Sequence, residues 1–205
     1  MEIAEFLDFI GGTLSNTQKR VIFGIVGKPG AGKSTVVEAV KKRFSDGQVA
    51  IIPMDGYHLS DQILISQGKR ERKGAPDTFD AMRFTKLLSD VKVATNSEIK
   101  FPIFHREIEA SIEDEGVVLP SAKVVITEGN YLLSTDYGWE GVSKLLDKSF
   151  YIEIDDDLRL QRLIDRHIRY GKSPEAAKAW ALGSDEANAR FIKKSKKFAT
   201  YIIKI

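Results

Sequence analysis

The run GIVGKPGAGKSTVVEAVKKRF, Gly24 to Phe44, constrains this chain more than any other segment. Gly27, Gly32, Lys33 and Ser34 satisfy G-x-x-x-x-G-K-[ST], the Walker A phosphate-binding pattern. The flanks suit it. Residues 21–26 read as a buried strand, and Val36, Val37, Val40 and Phe44 recur at helical spacing, so the loop joins a strand to a helix. Glycines let backbone N–H groups converge on an anion, and the helix N-terminus places partial positive charge behind them. The backbone of Gly27, Lys28, Gly30, Ala31, Gly32 and Thr35 is expected to cradle phosphates. Lys33 reaches the β- and γ-phosphates of a nucleotide such as ATP, and the Ser34 hydroxyl is placed for Mg²⁺.

A phosphate loop of this kind needs a sheet behind it. Apolar runs recur at 49–53, 122–127, 149–154 and 198–205, each of the first three followed by polar or helical sequence. The pattern predicts an α/β fold: a parallel sheet of about five strands with helices on both faces, in one domain spanning 1–205. Ile3, Phe6, Leu7 and Ile10 predict a helix over 2–10, ended by Gly11-Gly12. The polar segment 60–78 reads as an excursion above the sheet. With 31 Lys+Arg against 29 Asp+Glu, no global charge argues for nucleic acid or an anionic membrane. Lys193, Lys194, Lys196 and Lys197 read as a solvated helix end. The chain has no cysteine, an acidic N-terminus unlike a signal peptide and no membrane-length apolar run, so a cytoplasmic location is expected.

In such sheets, ligands sit at the carboxyl ends of the strands. Asp55 follows the second apolar run, with Tyr57 and His58 behind it, and could accept a proton from a substrate hydroxyl or hold metal-bound water. Glu128 ends the next run and suits the Mg²⁺ shell. Asp155, Asp156 and Asp157 read as helix-start residues complementing the dipole. Arg159, Arg162, Arg166 and Arg169 follow at spacings of three, four and three; they form either a solvated face or an anion clamp, and the phosphate loop favours a clamp for Arg162 and Arg166. Gly171 and Pro174 bound a turn after them. Pro102 disfavours a central strand, which places His105 and Arg106 in a loop, where Arg106 either pairs with an anionic substrate group or faces solvent.

Together and in order, these blocks resemble the phosphoribulokinase/uridine kinase family. GKPGAGKST is similar to its P-loop, MDGYHLS to its DGFH-type block, RKGAPDTFDA to the RKGxPxxFD segment shared with bacterial pantothenate kinase, VVITEGNYLL to its EGxxxL strand, and RLQRLIDRH to its lid. The likeness runs from about residue 20 to about 192 and leans toward the small pantothenate-kinase-like branch labelled fructose transport system kinase or nucleoside/nucleotide kinase family protein. It implies Asp55 as catalytic base, Arg162 and Arg166 closing as a lid over about 159–175, and Asp77, Phe79, His105 and Arg106 on the acceptor side. Leu163 stands where the family has the second lid arginine, and His167 where it has aspartate. The expected activity is transfer from Mg-ATP to a hydroxyl of a small metabolite, a sugar, nucleoside or pantothenate-like alcohol, by a chain that binds neither nucleic acid nor membrane and is open to forming a homodimer. The alternative is a nucleotide-operated switch; N-K-x-D and a following D-x-x-G, usual in guanine-specific switches, do not occur.

Overall fold

The computed structural model describes residues 1–94 and 96–205. In chain order its elements are α1 (Ile3–Asn16), β1 (Val21–Val26), α2 (Lys33–Arg43), β2 (Val49–Pro53), α3 (Asp61–Ser66), α4 (Ala81–Val93), β3 (Ile99–His105), β4 (Ala110–Val118), β5 (Val124–Gly129), β6 (Lys148–Glu153), α5 (Asp156–Arg169), α6 (Pro174–Trp180), α7 (Glu186–Lys193) and β7 (Tyr201–Lys204). Five strands form a parallel sheet in the order β2-β5-β1-β6-β7, and β3 and β4 form a separate antiparallel hairpin.

Strand alternation sorts the core into two layers. Phe23 and Ile25 of β1 face Val36, Val37 and Val40 of α2 and Phe6 and Ile10 of α1. Ile22 and Val26 face the other way, toward Phe84, Leu88 and Val91 of α4 and toward Trp139. The alternating faces of β1 thus bury helices on both sides of the sheet, as its apolar run implies. Arg20, just before β1, is buried and donates to the carbonyls of Val91, Ala94, Leu119, Pro120 and Ala122. One guanidinium so ties the end of α4 and the β4–β5 connection to the start of β1.

Two expectations fail locally. Helix α1 does not stop at Gly11-Gly12 but runs to Asn16, where the Thr17 N–H closes it on the Thr13 carbonyl. Those glycines face open space, and the packing of Phe6, Phe9, Ile10 and Leu14 outweighs a helical glycine's cost of about 1 kcal/mol. The segment around Pro102 is a strand of a separate hairpin, not a loop, so His105 lies in a strand while Arg106 lies in the turn after it, as expected. Pro102 sits where the β3–β4 register shifts, between Phe101 and Ile103, and a bulge tolerates proline. Strand β4 is almost entirely exposed, so its sequence lacks the apolar alternation that signals a strand.

Candidate active site

The loop after β1 curls through two left-handed glycines, Gly30 at φ +79° and Gly32 at φ +92°. Each is required. A Cβ on Gly30 would lie 2.7 Å from the Arg159 carbonyl oxygen, and Gly32 caps the N-terminus of α2 in the left-handed conformation. Lys33, the first residue of α2, donates from Nζ to the Gly27 carbonyl at 3.1 Å and to Asn130 Oδ1 at 2.5 Å. The ammonium is thereby held across the mouth of the loop. Ser34 and Thr35 are exposed beside it.

Helix α5 forms the loop's outer wall. Asp155 caps it, accepting from the N–H groups of Asp157 and Leu158. Asp156 ion-pairs with Lys28 and with Arg159, whose guanidinium also donates to the Pro29 carbonyl at 3.3 Å and to Glu186 at 2.5 Å. One expectation is kept here, that Lys28 offers phosphate its backbone, and one is corrected, that Arg159 lies on a solvated face or in an anion clamp. The Lys28 side chain turns away to Asp156, leaving only its backbone for phosphate, and Arg159 is a buried strut between the loop and α7. Asp156 has more than a helix-start role, since it carries both pairs. Leu163 is fully buried against Gly30, so the apolar residue in the arginine series packs the loop.

Asp55 and Glu128 end neighbouring strands, β2 and β5, with Pro53 in register opposite Glu128. Asp55 accepts from Arg106 at 2.7 Å. Burial alone would raise the Asp55 carboxyl, but His58, Arg106, Lys33 and Arg166 outweigh it and hold it below the ordinary carboxylate range. Glu128 goes the other way. Burial, reinforced by the Asp55 charge, pushes it up to about 7 against the pull of Lys33. The two carboxylates therefore share one field, with Asp55 ionised and Glu128 near its midpoint at neutral pH. Burial also lowers the Lys33 ammonium and the Arg166 guanidinium, which lies near Asp55, Arg106 and Asp185.

The remaining candidates separate into those that face this centre and those that do not. The His58 ring lies between Phe79 and Phe104, at 4.0 and 4.6 Å, with Nδ1 2.8 Å from the Asp55 carbonyl, and burial lowers its pKa. Asp77 accepts from Arg72 at 2.7 Å and pairs with Lys69 at 3.3 Å. Tyr57 and Phe79 are packed in the core, on Phe84 and on Tyr131 and Trp139 respectively. His105 is bonded to Glu115 across the hairpin at 2.6 Å. Alternation along β3 sets it opposite Phe104, which faces His58, so the hairpin brings Arg106 to the centre and not His105. Arg162 is exposed, with a guanidinium nitrogen 3.6 Å from where a Gly32 Cβ would stand. His167 pairs with Asp185 at 2.6 Å and thus joins α5 to the π-helical turn Ala181–Asp185.

Sequence reasoning missed Asn130, Tyr131, Asp185 and Asn188. Tyr131 and Asn188 both donate to the Gly74 carbonyl, at 2.5 and 3.3 Å, and anchor the segment that carries Asp77. Asn130 was open to detection, since it lies two residues past Glu128. Asp185 and Asn188 come from the far end of the chain and carry no motif. Gly56 has a purely steric role: a Cβ there would stand 2.0 Å from the Pro102 carbonyl oxygen, so it admits the hairpin beside Asp55.

A strand-end carboxylate pair facing a phosphate loop, with arginines from a hairpin and a covering helix, is the geometry of a phosphoryl-transfer site. The model of the phosphoribulokinase/uridine kinase family matches residues 22–205. The chain belongs to this family. A Schizosaccharomyces pombe protein provisionally named a uridine kinase is 34% identical over 188 residues, covering 87% of this chain and 80% of that protein. A pantothenate kinase of Limosilactobacillus reuteri is 31% identical over 142 residues, 67% of this chain and 46% of that enzyme. Among solved structures, a Silicibacter sp. TM1040 protein provisionally named a fructose transport system kinase superposes with a TM-score of 0.85 at 32% identity, covering 98% of each chain. The family is one of ATP-dependent kinases, and the fold is that of the P-loop kinases.

Proposed function

We propose that this family member transfers the γ-phosphoryl group of ATP to a hydroxyl of a small metabolite, with Asp55 receiving the hydroxyl proton. The observation that carries the reading is the placement of Asp55 and Glu128 at adjacent strand ends in the field of Lys33, Arg106 and Arg166. In the transfer the acceptor oxygen bonds to the γ-phosphorus as the bond to the bridging oxygen breaks. The electron pair leaves with ADP, and the proton passes to Asp55. A carboxylate held below its ordinary pKa is unprotonated throughout the neutral range, which suits a base that takes the proton late in a loose transition state.

The donor set fits Mg²⁺. Ser34 presents an exposed hydroxyl beside the loop, Glu128 stands at the next strand end, and among the described residues no group of three His, Cys, Asp or Glu could hold a metal alone. One or two protein oxygens completed by phosphate oxygens and water is the usual arrangement for this ion, which would neutralise charge on the phosphates. Lys33 and Arg166 stabilise charge on the transferring group, and α5 to α7 act as the lid, with Arg162 reaching toward the phosphates from the outside. The reading is tested by ADP release from Mg-ATP with sugars, nucleosides, pantothenate and hydroxy acids, each against a blank without acceptor. Turnover above the blank that vanishes in a folded Lys33→Ala variant is expected; acceptor-independent hydrolysis alone would favour the nucleotide switch.

A further inference from the structure

The acceptor side of the centre is built around one ion pair. Arg106 Nη2 lies 2.7 Å from Asp55 Oδ2, with side chains 37% and 28% exposed, so the pair is reachable from solvent. Half of the Asp55 carboxylate is therefore engaged by a guanidinium whose charge also suppresses its basicity. A second cation stands close. Lys73 Nζ lies 5.4 Å from the centre of the Phe104 ring and the Arg106 guanidinium 5.9 Å from it, so both cations lie near one aromatic ring. Lys73 is nonetheless held, by Asp61 at 2.8 Å and Glu109 at 3.2 Å. Burial between Phe79 and Phe104 lowers the His58 pKa. The Arg166 guanidinium makes no hydrogen bond or ion pair to any described residue and lies near the same centre.

The centre thus holds Lys33, Arg106 and Arg166 against Asp55 and Glu128. Bound nucleotide phosphates draw on Lys33 and Arg166. Arg106, in the hairpin turn, is left with Asp55 as its only ion-pair partner among the described residues, and Asp55 is the group that must be free to take a proton. A neutral alcohol offers nothing that competes for a guanidinium. A carboxylate or phosphate does, because charge-assisted and bidentate contacts to arginine are the strong ones.

Resting on the kinase reading, we infer that the acceptor is an acidic hydroxy compound, bearing a carboxylate or a phosphate near the reacting hydroxyl, and that this anionic group takes Arg106 from Asp55 as it binds. Arg106 is then both the specificity determinant and the switch that frees the base. A nucleoside or neutral sugar leaves the pair closed and is a poor acceptor.

Two measurements test this. In the first, matched acceptors are compared by kcat/KM: hydroxy acids against their amides, and phosphorylated alcohols against their parent alcohols, so that the two anion types are read separately. The acidic member of at least one series is expected to lead by about 10- to 100-fold, the range for a hydrogen-bonded charge, and Arg106→Gln is expected to collapse that ratio while Arg106→Lys keeps part of it. Neutral acceptors used as well as acidic ones, or a ratio that survives Arg106→Gln, would overturn the inference and leave the kinase reading standing. In the second, malonate and inorganic phosphate are titrated by calorimetry onto protein saturated with a non-hydrolysable Mg-ATP analogue, so that the phosphate loop is already filled. Binding that is lost in Arg106→Gln, with an unchanged melting profile for the variant, supports the anion site even if no compound is turned over, the result that would sink the kinase reading itself. Equal binding to wild type and Arg106→Gln refutes the site whatever the turnover.

Discussion

At the scale of single residues, the two strand-end carboxylates are alike in sequence and opposite in electrostatics. Asp55→Asn keeps the shape and one hydrogen-bond acceptor but cannot take a proton, so turnover should fall by about 10² to 10⁴ with little change in nucleotide affinity, measured by steady-state kinetics and titration. Glu128 makes a different prediction. Its folded pKa of about 7 exceeds the ordinary 4.5, so the folded state binds the extra proton, and its stabilising contribution, complete below 4.5, is lost as pH rises toward 7. Melting of the ligand-free protein should therefore show a downward trend across that window that is flattened in Glu128→Gln; an identical trend in the variant would disprove it. Asp55, with its pKa lowered, acts in the opposite sense and at lower pH, losing its contribution as pH falls through its folded pKa. Gly30→Ala faces both a left-handed φ and a carbonyl 2.7 Å away, so it should destabilise by more than about 1 kcal/mol in denaturant titrations. The glycines, Lys33 and Asp55 were legible because each obeys a local rule of turn or strand end. Arg106 was half legible: its type suggested an anion, but it follows β3, a strand that the sequence concealed, and so its pairing with Asp55 did not show.

Elements were legible where burial imposes a period. The strands of the sheet are largely apolar because both faces are covered, and they stood out; β4 is mostly solvated, and the hairpin is held by Phe101 and Val118 in the core, its close approach to Gly56 and Phe104's stack on His58. The same reasoning explains α1, whose packed face carried it past two glycines. For α5, the spacing of the arginines foretold a shared side, yet burial divides them: Arg159 is a strut, Arg166 lies near the carboxylates and Arg162 stays exposed. If α5 to α7 form a lid, amide exchange in 159–175 should slow when nucleotide and acceptor are both present. Exchange unchanged by ligands would mark a static wall. Asn188→Ala removes one of two donors to the Gly74 carbonyl. It should loosen the Asp77 segment and raise the acceptor KM, with nucleotide affinity preserved.

Across the whole molecule, the sheet order could not be read from sequence, because strands of similar composition leave their neighbours unspecified; only the position of the phosphate loop indicated which edge is functional. Nucleotide binding should be felt globally, since it favours the folded state alone. At a hundredfold excess over Kd the gain is about 2.7 kcal/mol, which for a domain of this size raises the melting temperature by about 5–10 °C. Thermal scans with Mg-ATP should show that rise in wild type and lose it in Lys33→Ala. The loop's walls have a further consequence for how the molecule comes into being. Gly30 rests on Arg159 and Leu163, and the nearest atom to a Cβ on Gly32 would be the Ile205 side chain, at 3.1 Å. A nascent chain that has left the ribosome only as far as β6 possesses the entire loop sequence and neither wall, so competence to bind nucleotide waits for α5 and the residues after it.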